Sequence, residues 1–461
     1  MTRPRAAVRA GIGLVLVLAV AACQPGAGTT RPAGQATSTR ATGATGPCVR
    51  NEQGSACLPV APEGDRVDRA RPSFTDPTRI TNPRFPVAGL TQVLQLGHEG
   101  GKPLRVEVTR LPRPRTIEWD GRRVGTVASQ FVAYLDGRIQ EVAVDYFAQA
   151  DDGSVWYFGE DVANYRDGTV ADHDGSWLAG RDGPPGMIMP ADPREGDVYR
   201  SENIPGLVFE QDTVRSTTGT VDGPRGPVQG ATLVEELLMD GTVEHKAFAP
   251  GYGEFRAQAE DELVTVALAL PLDAAGGGPP GGLAGLVPEA RSVAGAAAGG
   301  RWPAATSRAD AMAAAWARAR ARSGVPELLA SQMTGTLAKL ATAAAAHDPA
   351  RTGQAALGAE QAALDLRLRH RPPAEVDLTR LDLWARRLLA DAAAKDRGAV
   401  AGDVATLQVL WNRAGHAADP AAAGRVAAAL AALRRTIDSG RPSAAAAAVP
   451  ALRDALGRVG A

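Results

Sequence analysis

The sequence predicts a two-part protein, in which an antiparallel β meander shaped as a barrel or half-barrel precedes an antiparallel α-helical bundle. Over residues 72–272, apolar and polar residues alternate between recurring Asp-Gly pairs, which is the pattern of half-buried strands. Over residues 301–461, apolar residues recur every three or four positions, as on the buried face of a helix. A Gly/Pro/Ala-rich stretch over 273–300 lies between these two patterns, and we expect it to be a linker.

The β segment is marked by its turns. Residues 104–111 alternate apolar and polar side chains, and candidate hairpins join 138–147 to 155–160 and 229–238 to 242–249. Asp-Gly pairs accept positive φ and favour tight hairpin turns, so consecutive hairpins predict a meander. These pairs are Asp120-Gly121, Asp136-Gly137, Asp152-Gly153, Asp167-Gly168 and Asp240-Gly241.

The helical segment is marked by apolar stripes and by caps. Asp348-Pro349 and Asp419-Pro420 each offer an N-cap followed by proline at the first helical position. Short breaks between amphipathic helices predict an antiparallel bundle. The stripes are Leu329/Met333/Leu337/Leu340, Leu381/Trp384/Leu388, Val400/Val404/Leu407/Trp411, Val426/Leu430/Leu433/Ile437 and Val449/Leu452/Leu456.

The amino terminus carries an export signal. Arginines at 3, 5 and 9 precede an apolar run over 11–19, which ends in Val20-Ala21-Ala22-Cys23. This run resembles the lipobox of bacterial lipoprotein signal peptides. The resemblance implies a signal peptide over 1–22, a diacylglycerol on Cys23, and a chain anchored on the extracytoplasmic side of the cell membrane. The alternative is an ordinary signal peptide with an incidental cysteine.

Residues 23–65 are rich in Gly, Thr, Ala and Pro and are expected to form a flexible tether. This segment also contains Cys48 and Cys57. Outside the membrane a disulfide between them is the default expectation, and a metal-binding pair is the alternative. The formal net charge of −1 gives no reason to expect a nucleic acid partner.

One stretch of the β segment forms a distinctive sequence motif. Residues 145–160 read DYFAQADDGSVWYFGE. The run resembles a motif of a family of secreted bacterial proteins of uncharacterised function, and stretches near Ile80, Gly175, Pro185, Gly196 and Glu244 match that family's pattern in order. Asp145 and Ser154 depart from it, where an aromatic residue and Asn are common. The resemblance implies a β-rich fold akin to the half-barrels of lipoprotein-carrier-like proteins, and it supplies no catalytic residues.

The same hairpin gathers five aromatic residues. A cluster of this size could line an apolar cavity, although aromatic residues on strands are more often core and cross-strand pairs. Strand alternation places Trp156 and Phe158 on one face and Tyr157 on the other. The candidate ligand-facing aromatics are Tyr146, Trp156, Tyr157 and Phe158, with Phe147 beside them.

Candidate metal and catalytic sites are weaker. Asp172 opens a run that hints at calcium, but turn chemistry explains it equally well. His347, His370 and His416 could converge on a metal ion, although histidines near helix ends need none. No Gly-x-Ser-x-Gly motif is present, and Glu244 and His245 point to opposite faces of a strand. We therefore expect no cofactor, no bound metal and no enzymatic activity.

The sequence thus favours a membrane-anchored binding module for an apolar or amphiphilic ligand of the cell envelope. Its expected partners are the membrane, through the lipid anchor, and a small apolar ligand or an envelope protein. One alternative is a structural scaffold of the envelope. A hydrolase with an unfamiliar site is a further alternative.

Overall fold

The computed structural model describes residues 48–279 and 281–459. Within them, the β part is a 15-stranded antiparallel sheet that does not close on itself. Its main path runs β10-β11-β12-β13-β14-β15-β1-β2-β4-β5-β6-β7, while β3 pairs with β4, and β8 and β9 pair with β6. The strands are β1 (Gln92–Glu99), β2 (Lys102–Arg110), β3 (Arg115–Trp119), β4 (Arg122–Leu135), β5 (Arg138–Gln149), β6 (Val155–Arg166), β7 (Thr169–Asp172), β8 (Trp177–Leu178), β9 (Gly186–Met189), β10 (Val198–Ile204), β11 (Val208–Gly223), β12 (Gly226–Leu238), β13 (Val243–Ala249), β14 (Gly253–Ala259) and β15 (Glu262–Leu270).

The Asp-Gly pairs form the turns that the sequence predicts. Asp136 and Gly137, between β4 and β5, have φ of 49° and 70°, and Asp167 and Gly168 have φ of 50° and 73°. Two successive positive φ values give a hairpin turn whose twist matches the strands on either side. The predicted succession of hairpins is confirmed, and it produces an open sheet.

A helical region follows the sheet. Its predicted apolar stripes are buried, as with Leu329, Met333 and Leu340 in α4. The carboxylate of Asp348 caps α5 by accepting a hydrogen bond from the Arg351 amide at 2.9 Å. The helices are α1 (Gly281–Ala284), α2 (Leu286–Ala298), α3 (Trp302–Ser323), α4 (Glu327–Ala345), α5 (Pro349–Arg367), α6 (Pro373–Ala393), α7 (Arg397–Ala414), α8 (Pro420–Asp438) and α9 (Val449–Gly457).

The segment 273–300, expected to be a linker, contains α1 and α2 in the structure. Leu286, Ala290, Val293 and Ala297 are spaced as one helical face, and all four are buried in the core that α2 shares with α3 and α5. The density of glycine and proline obscured this periodicity in the sequence. The Gly/Pro-rich run itself ends before Leu286, and the short helix α1 lies within it, so both halves of the segment contain helix.

Part of the expected tether also packs on the sheet. Residues 23–47, including Cys23, lie outside the described residues. Val49 and Leu58 are buried against Phe209 and Leu237, and the Glu52 amide donates to the Met239 carbonyl at 2.8 Å. The side chains of Val49 and Leu58 attach residues 48–58 to the edge of the β part. The Gly, Thr, Ala and Pro content of the segment obscured this role in the sequence.

One apolar core joins the sheet to the helices. Leu94, Val132 and Leu268 on the sheet belong to the same buried cluster as the inward faces of α2 to α9. The ring of Tyr134 on β4 stacks on Trp384 of α6, with centroids 5.8 Å apart. The helices therefore cover one face of the sheet, and the opposite face remains for a second core.

Buried ion pairs reinforce this contact. Asp365 of α5 accepts hydrogen bonds from Arg105 of β2 at 2.7 Å and from Arg380 of α6 at 2.6 Å. Three cations face three carboxylates in this cluster, so its charges balance. We call it the interface network, and its members are Arg105, Glu107, Asp365, Asp377, Arg380 and Arg413.

Candidate ligand-binding cleft

A cleft of about 80 Å³ lies on the sheet, bordered by β1, β2, β4 and β5. Val93 pairs with Val108, and Val108 pairs with Phe131, so these three side chains form one apolar row across three strands. The next row contains Arg110, Ser129 and Asp145, which are paired in the same way. Both rows lie on the same face of the sheet, because they are two residues apart along each strand.

Two segments build the walls of the cleft above these rows. The chain before β1 supplies Phe85, Val87 and Leu90, and the turn before β14 supplies Tyr252. The Gly251 amide donates to the Pro83 carbonyl at 2.7 Å, which holds the two segments together. The cleft is therefore an apolar space with fixed walls, the form that small-molecule sites usually take.

The polar groups of the cleft are few and lie together. The side chain of Gln95 donates to the Glu254 carbonyl at 3.0 Å, whereas that of Gln92 donates to Thr109 Oγ1 at 3.1 Å on the opposite, helix-covered face of the sheet. Asp145 Oδ1 accepts a hydrogen bond from the hydroxyl of Tyr157 at 3.2 Å. Gln95, Glu254 and Asp145 are buried or half-buried beside the apolar side chains of the cleft, where a polar group without a partner is costly.

One buried polar atom of the cleft has no hydrogen-bond partner among the described residues. It is the hydroxyl oxygen of Ser129, which lies in the same row as Asp145. A buried polar group without a partner costs about 1–3 kcal/mol. A ligand that supplied hydrogen-bond donors would remove that cost.

The two acids of the cleft hold their protons unusually tightly. Burial raises the pKa of Asp145 to about 7, opposed by the hydrogen bond from Tyr157 and reinforced by the charge of Glu254. Burial likewise raises the pKa of Glu254 to about 7, opposed by the nearby Lys246 ammonium. Each carboxyl therefore changes charge near neutral pH, where a small change in surroundings decides its state.

Further buried acids continue from the cleft across the sheet. The Trp177 indole donates to Glu202 at 2.7 Å, and the Ser201 hydroxyl lies 3.0 Å from Glu210 and 2.8 Å from Asp212. Burial raises the pKa of most of these acids well above its ordinary range, and neighbouring carboxylates reinforce the effect. We call this set the acidic row: Glu160, Glu202, Glu210, Asp212 and Glu236, with Glu236 paired to Lys246 at 2.6 Å.

The hairpin aromatics are all buried. Tyr146 donates to Asp161 at 2.6 Å, Trp156 donates to Ser154 at 2.8 Å, and Phe158 packs edge-on against Phe74 and Trp119. None of these three lines the cleft. Their role as ligand contacts stays a prediction, and their observed contacts are those of a core.

Phe147 and Tyr157 connect the hairpin to the cleft. Phe147 lines the cleft, and the ring of Tyr157 stacks behind it with centroids 5.0 Å apart. Tyr157 therefore supports two cleft residues, since its hydroxyl also holds Asp145. Asp145 and Phe147 are two residues apart on a strand and so share a face, but nothing local in the sequence indicates that this face borders a cavity.

A second cavity, of about 220 Å³, lies where the sheet meets α6 and α7. Its charges are paired across the contact, since Arg138 lies 2.7 Å from Asp391, and Arg387 lies 3.8 Å from Asp403. We favour the smaller cleft as the binding site because its walls are mainly apolar, whereas charged side chains such as Arg138, Asp396 and Asp403 line the second cavity.

The cysteine pair and the candidate metal-binding residues lie apart from the cleft. Cys48 and Cys57 form a disulfide, with Cα atoms 5.4 Å apart, and this prediction is confirmed. His347 stacks on Trp302, with ring centroids 4.9 Å apart. Within residues 48–279 and 281–459, no three His, Cys, Asp or Glu side chains are grouped so that they could hold a metal ion.

Comparison with known proteins gives no relative. No family model, no curated protein and no solved structure matches the chain. Among the helices that the structure describes, none combines the length and the apolar character needed to cross a membrane.

Proposed function

We propose that the protein is a binding module for an apolar or amphiphilic ligand of the cell envelope, exported and held at the membrane by a lipid on Cys23. The observation that carries the proposal is the cleft, in which apolar walls surround the Ser129 hydroxyl, a buried polar group that has no partner among the described residues. A scaffold protein has no need of such a space, because filling it with side chains would stabilise the fold.

The cleft is small, so it is suited to one end of a ligand. An enclosed apolar cavity of about 150 Å³ holds benzene. The space here is about 80 Å³, and residues at its edge such as Val87 and Pro86 are half-exposed. A ligand would place its polar group beside Asp145 and Ser129 and extend its apolar part between Phe147 and Val87 towards solvent.

The proposal can be tested with N-phenyl-1-naphthylamine, a neutral apolar fluorophore that brightens in apolar surroundings. The full chain would carry Cys23→Ser, so that neither lipid nor detergent competes for the probe. We expect saturable binding to this chain. Val87→Trp, at the half-exposed mouth, should block the cleft and abolish binding while leaving the melting temperature nearly unchanged.

The matched control is Val170→Trp, on the exposed strand β7 away from the cleft. It adds the same indole group to the surface and should leave binding intact. If the parent chain binds no fluorophore, or if both tryptophan variants bind it equally, the cleft is not the binding site and the scaffold alternative is favoured.

A further inference from the structure

The polar end of the cleft presents hydrogen-bond acceptors. The Gln95 amide nitrogen is already engaged with the Glu254 carbonyl. What faces a ligand is the carboxyl groups of Asp145 and Glu254 and the Ser129 hydroxyl. Of these three groups, only the hydroxyl can also donate when the acids are ionised.

Positive charge is nearly absent from the lining. Arg110 is the one cationic side chain there, and it is exposed at the edge with its guanidinium donating to the Ala88 carbonyl at 3.0 Å. Lys246 lies 3.8 Å from Glu254, but it lies much closer to Glu236, at 2.6 Å. Asp145 therefore has no ion-pair partner among the described residues, and Glu254 shares the Lys246 ammonium with Glu236 and Glu244.

This arrangement discriminates between head groups. A carboxylate or phosphate would meet two acids, and a buried like-charge contact is strongly unfavourable. A neutral hydroxyl could satisfy the acceptors but would gain no charge interaction. An ammonium group supplies several donors and one positive charge in a space that holds acceptors and negative charge.

We propose that the cleft binds an amphiphilic amine, with its ammonium group between Asp145 and Glu254 and its apolar part against Phe147 and Val93. This inference rests on the proposed function and specifies its ligand class. The contact would be a charge-assisted hydrogen bond in apolar surroundings, which is stronger than its counterpart in water.

The test compares three ligands that share one hexyl chain: hexylamine, 1-hexanol and hexanoate. Each would displace N-phenyl-1-naphthylamine from the Cys23→Ser chain, and its dissociation constant would follow from the displacement curve. Near neutral pH we expect the amine to bind at least about tenfold more tightly than the alcohol, and the carboxylate to bind most weakly.

Substitution of the acids separates the head-group contact from the apolar contact. Asp145→Asn keeps an oxygen to accept from Tyr157, and it should remove the preference for the amine while leaving 1-hexanol unaffected. Glu254→Gln, which is nearer the cleft mouth, is the second variant in case the first fails to fold. Glu195→Gln, an exposed acid outside the lining, is the control and should change nothing.

The outcomes separate the two proposals. If the three ligands bind equally, or the carboxylate binds best, the amine inference is wrong and the binding module survives. If neither the fluorophore nor any hexyl ligand binds, the proposed function itself is wrong. Preference for the amine that persists in both Asp145→Asn and Glu254→Gln would also overturn the inference, since the cation would then bind elsewhere.

The pH dependence adds an independent readout. Since Asp145 and Glu254 each carry a pKa of about 7, the amine preference should increase as both lose their protons between about pH 6 and pH 8. A preference that is flat over this range would contradict the assignment. The charged and titratable groups around Asp145 are Tyr157 and Glu160 on β6, Glu141 on β5, Glu254 on β14 and Arg110 on β2, with Lys246 on β13 beyond Glu254.

Discussion

A carboxyl group removed from water holds its proton more tightly, because the charged form loses its hydration. Glu141 on β5 shows the effect clearly: it is buried, and burial together with the charge of Asp145 raises its pKa to about 8. In the unfolded chain the same group has its ordinary value of 4.5. The difference between these two values makes the stability of the fold depend on pH.

The sign follows from the proton count. Below about pH 4.5 the folded and the unfolded chain both hold the Glu141 proton. Between about pH 4.5 and pH 8 only the folded chain holds it, so rising pH favours unfolding. We expect Glu141→Gln to remove this penalty. The variant should be more stable than the parent by on the order of a few kcal/mol near pH 8, and by less than about 1 kcal/mol near pH 5. Urea unfolding at both pH values measures the difference, and equal gains at both would contradict it.

Lys246 gives a second test at the residue scale. Its ammonium is buried, 2.6 Å from Glu236 and less than 4 Å from Glu244 and Glu254. Lys246→Met leaves these acids without that cation and should destabilise the fold by about 3–5 kcal/mol near pH 8. The loss should be smaller near pH 5, because the acids can then accept protons.

The control for Lys246→Met removes the partner acid as well. Lys246→Met with Glu236→Gln deletes both charges of the closest pair and should recover part of the lost stability. A double variant that is no more stable than the single one would show that the 2.6 Å pair does not explain the effect.

At the scale of elements, sequence patterns predicted what is local. Period-two alternation and Asp-Gly pairs identified β2, β5, β6, β12 and β13, and helical stripes identified α4 and α6 to α9. The patterns missed α2, whose buried face stands within a run of glycine and alanine. They could not show the cleft, because its floor joins residues of β1, β2, β4 and β5 that only strand pairing brings together.

The interface network was also beyond prediction from the sequence. Arg105 reads as a solvated residue of a strand, yet its partner Asp365 is 260 positions away on α5. Arg413 lies on a helix among apolar residues, and it reaches Glu107 on β2 and Asp377 on α6. Charges of this kind are identified as buried only when the elements that carry them are known to touch.

Removing one member of the interface network should be costly. Arg413→Met leaves Glu107 and Asp377 buried with one cation fewer, so we expect a loss of about 3–5 kcal/mol in the free energy of unfolding. The control is Arg453→Met, whose partner Asp382 lies at 2.7 Å but whose side chain is 44% exposed. That exposed pair should contribute no more than about 1 kcal/mol. Similar losses in the two variants, measured by urea unfolding, would show that the network contributes no more than a surface pair.

At the scale of the whole molecule, the two faces of the sheet have different roles. One face carries Leu94, Val132 and Leu268 into the core shared with the helices, together with the charges of Glu107 and Arg105. The other carries the rows that floor the cleft. The helical region therefore supports the sheet from behind and leaves the cleft side free for a ligand.

This arrangement makes the β part depend on the helices, although a Gly/Pro-rich run separates the two along the chain. A fragment ending at Leu272 would expose the apolar face around Val132 and Tyr134 and leave Glu107 without its partners Arg413 and Arg380. We expect this fragment alone to bind an apolar dye broadly and to unfold without a cooperative transition.

Adding the fragment 273–461 should restore a cooperative melt, because the sheet that floors the cleft would again be covered on its far face. Saturable binding of N-phenyl-1-naphthylamine should return with it. Circular dichroism melts of each fragment and of the mixture measure this. Cooperative melting of the first fragment by itself, with unchanged binding, would show that the helices serve a separate purpose and that the shared core contributes little to the cleft.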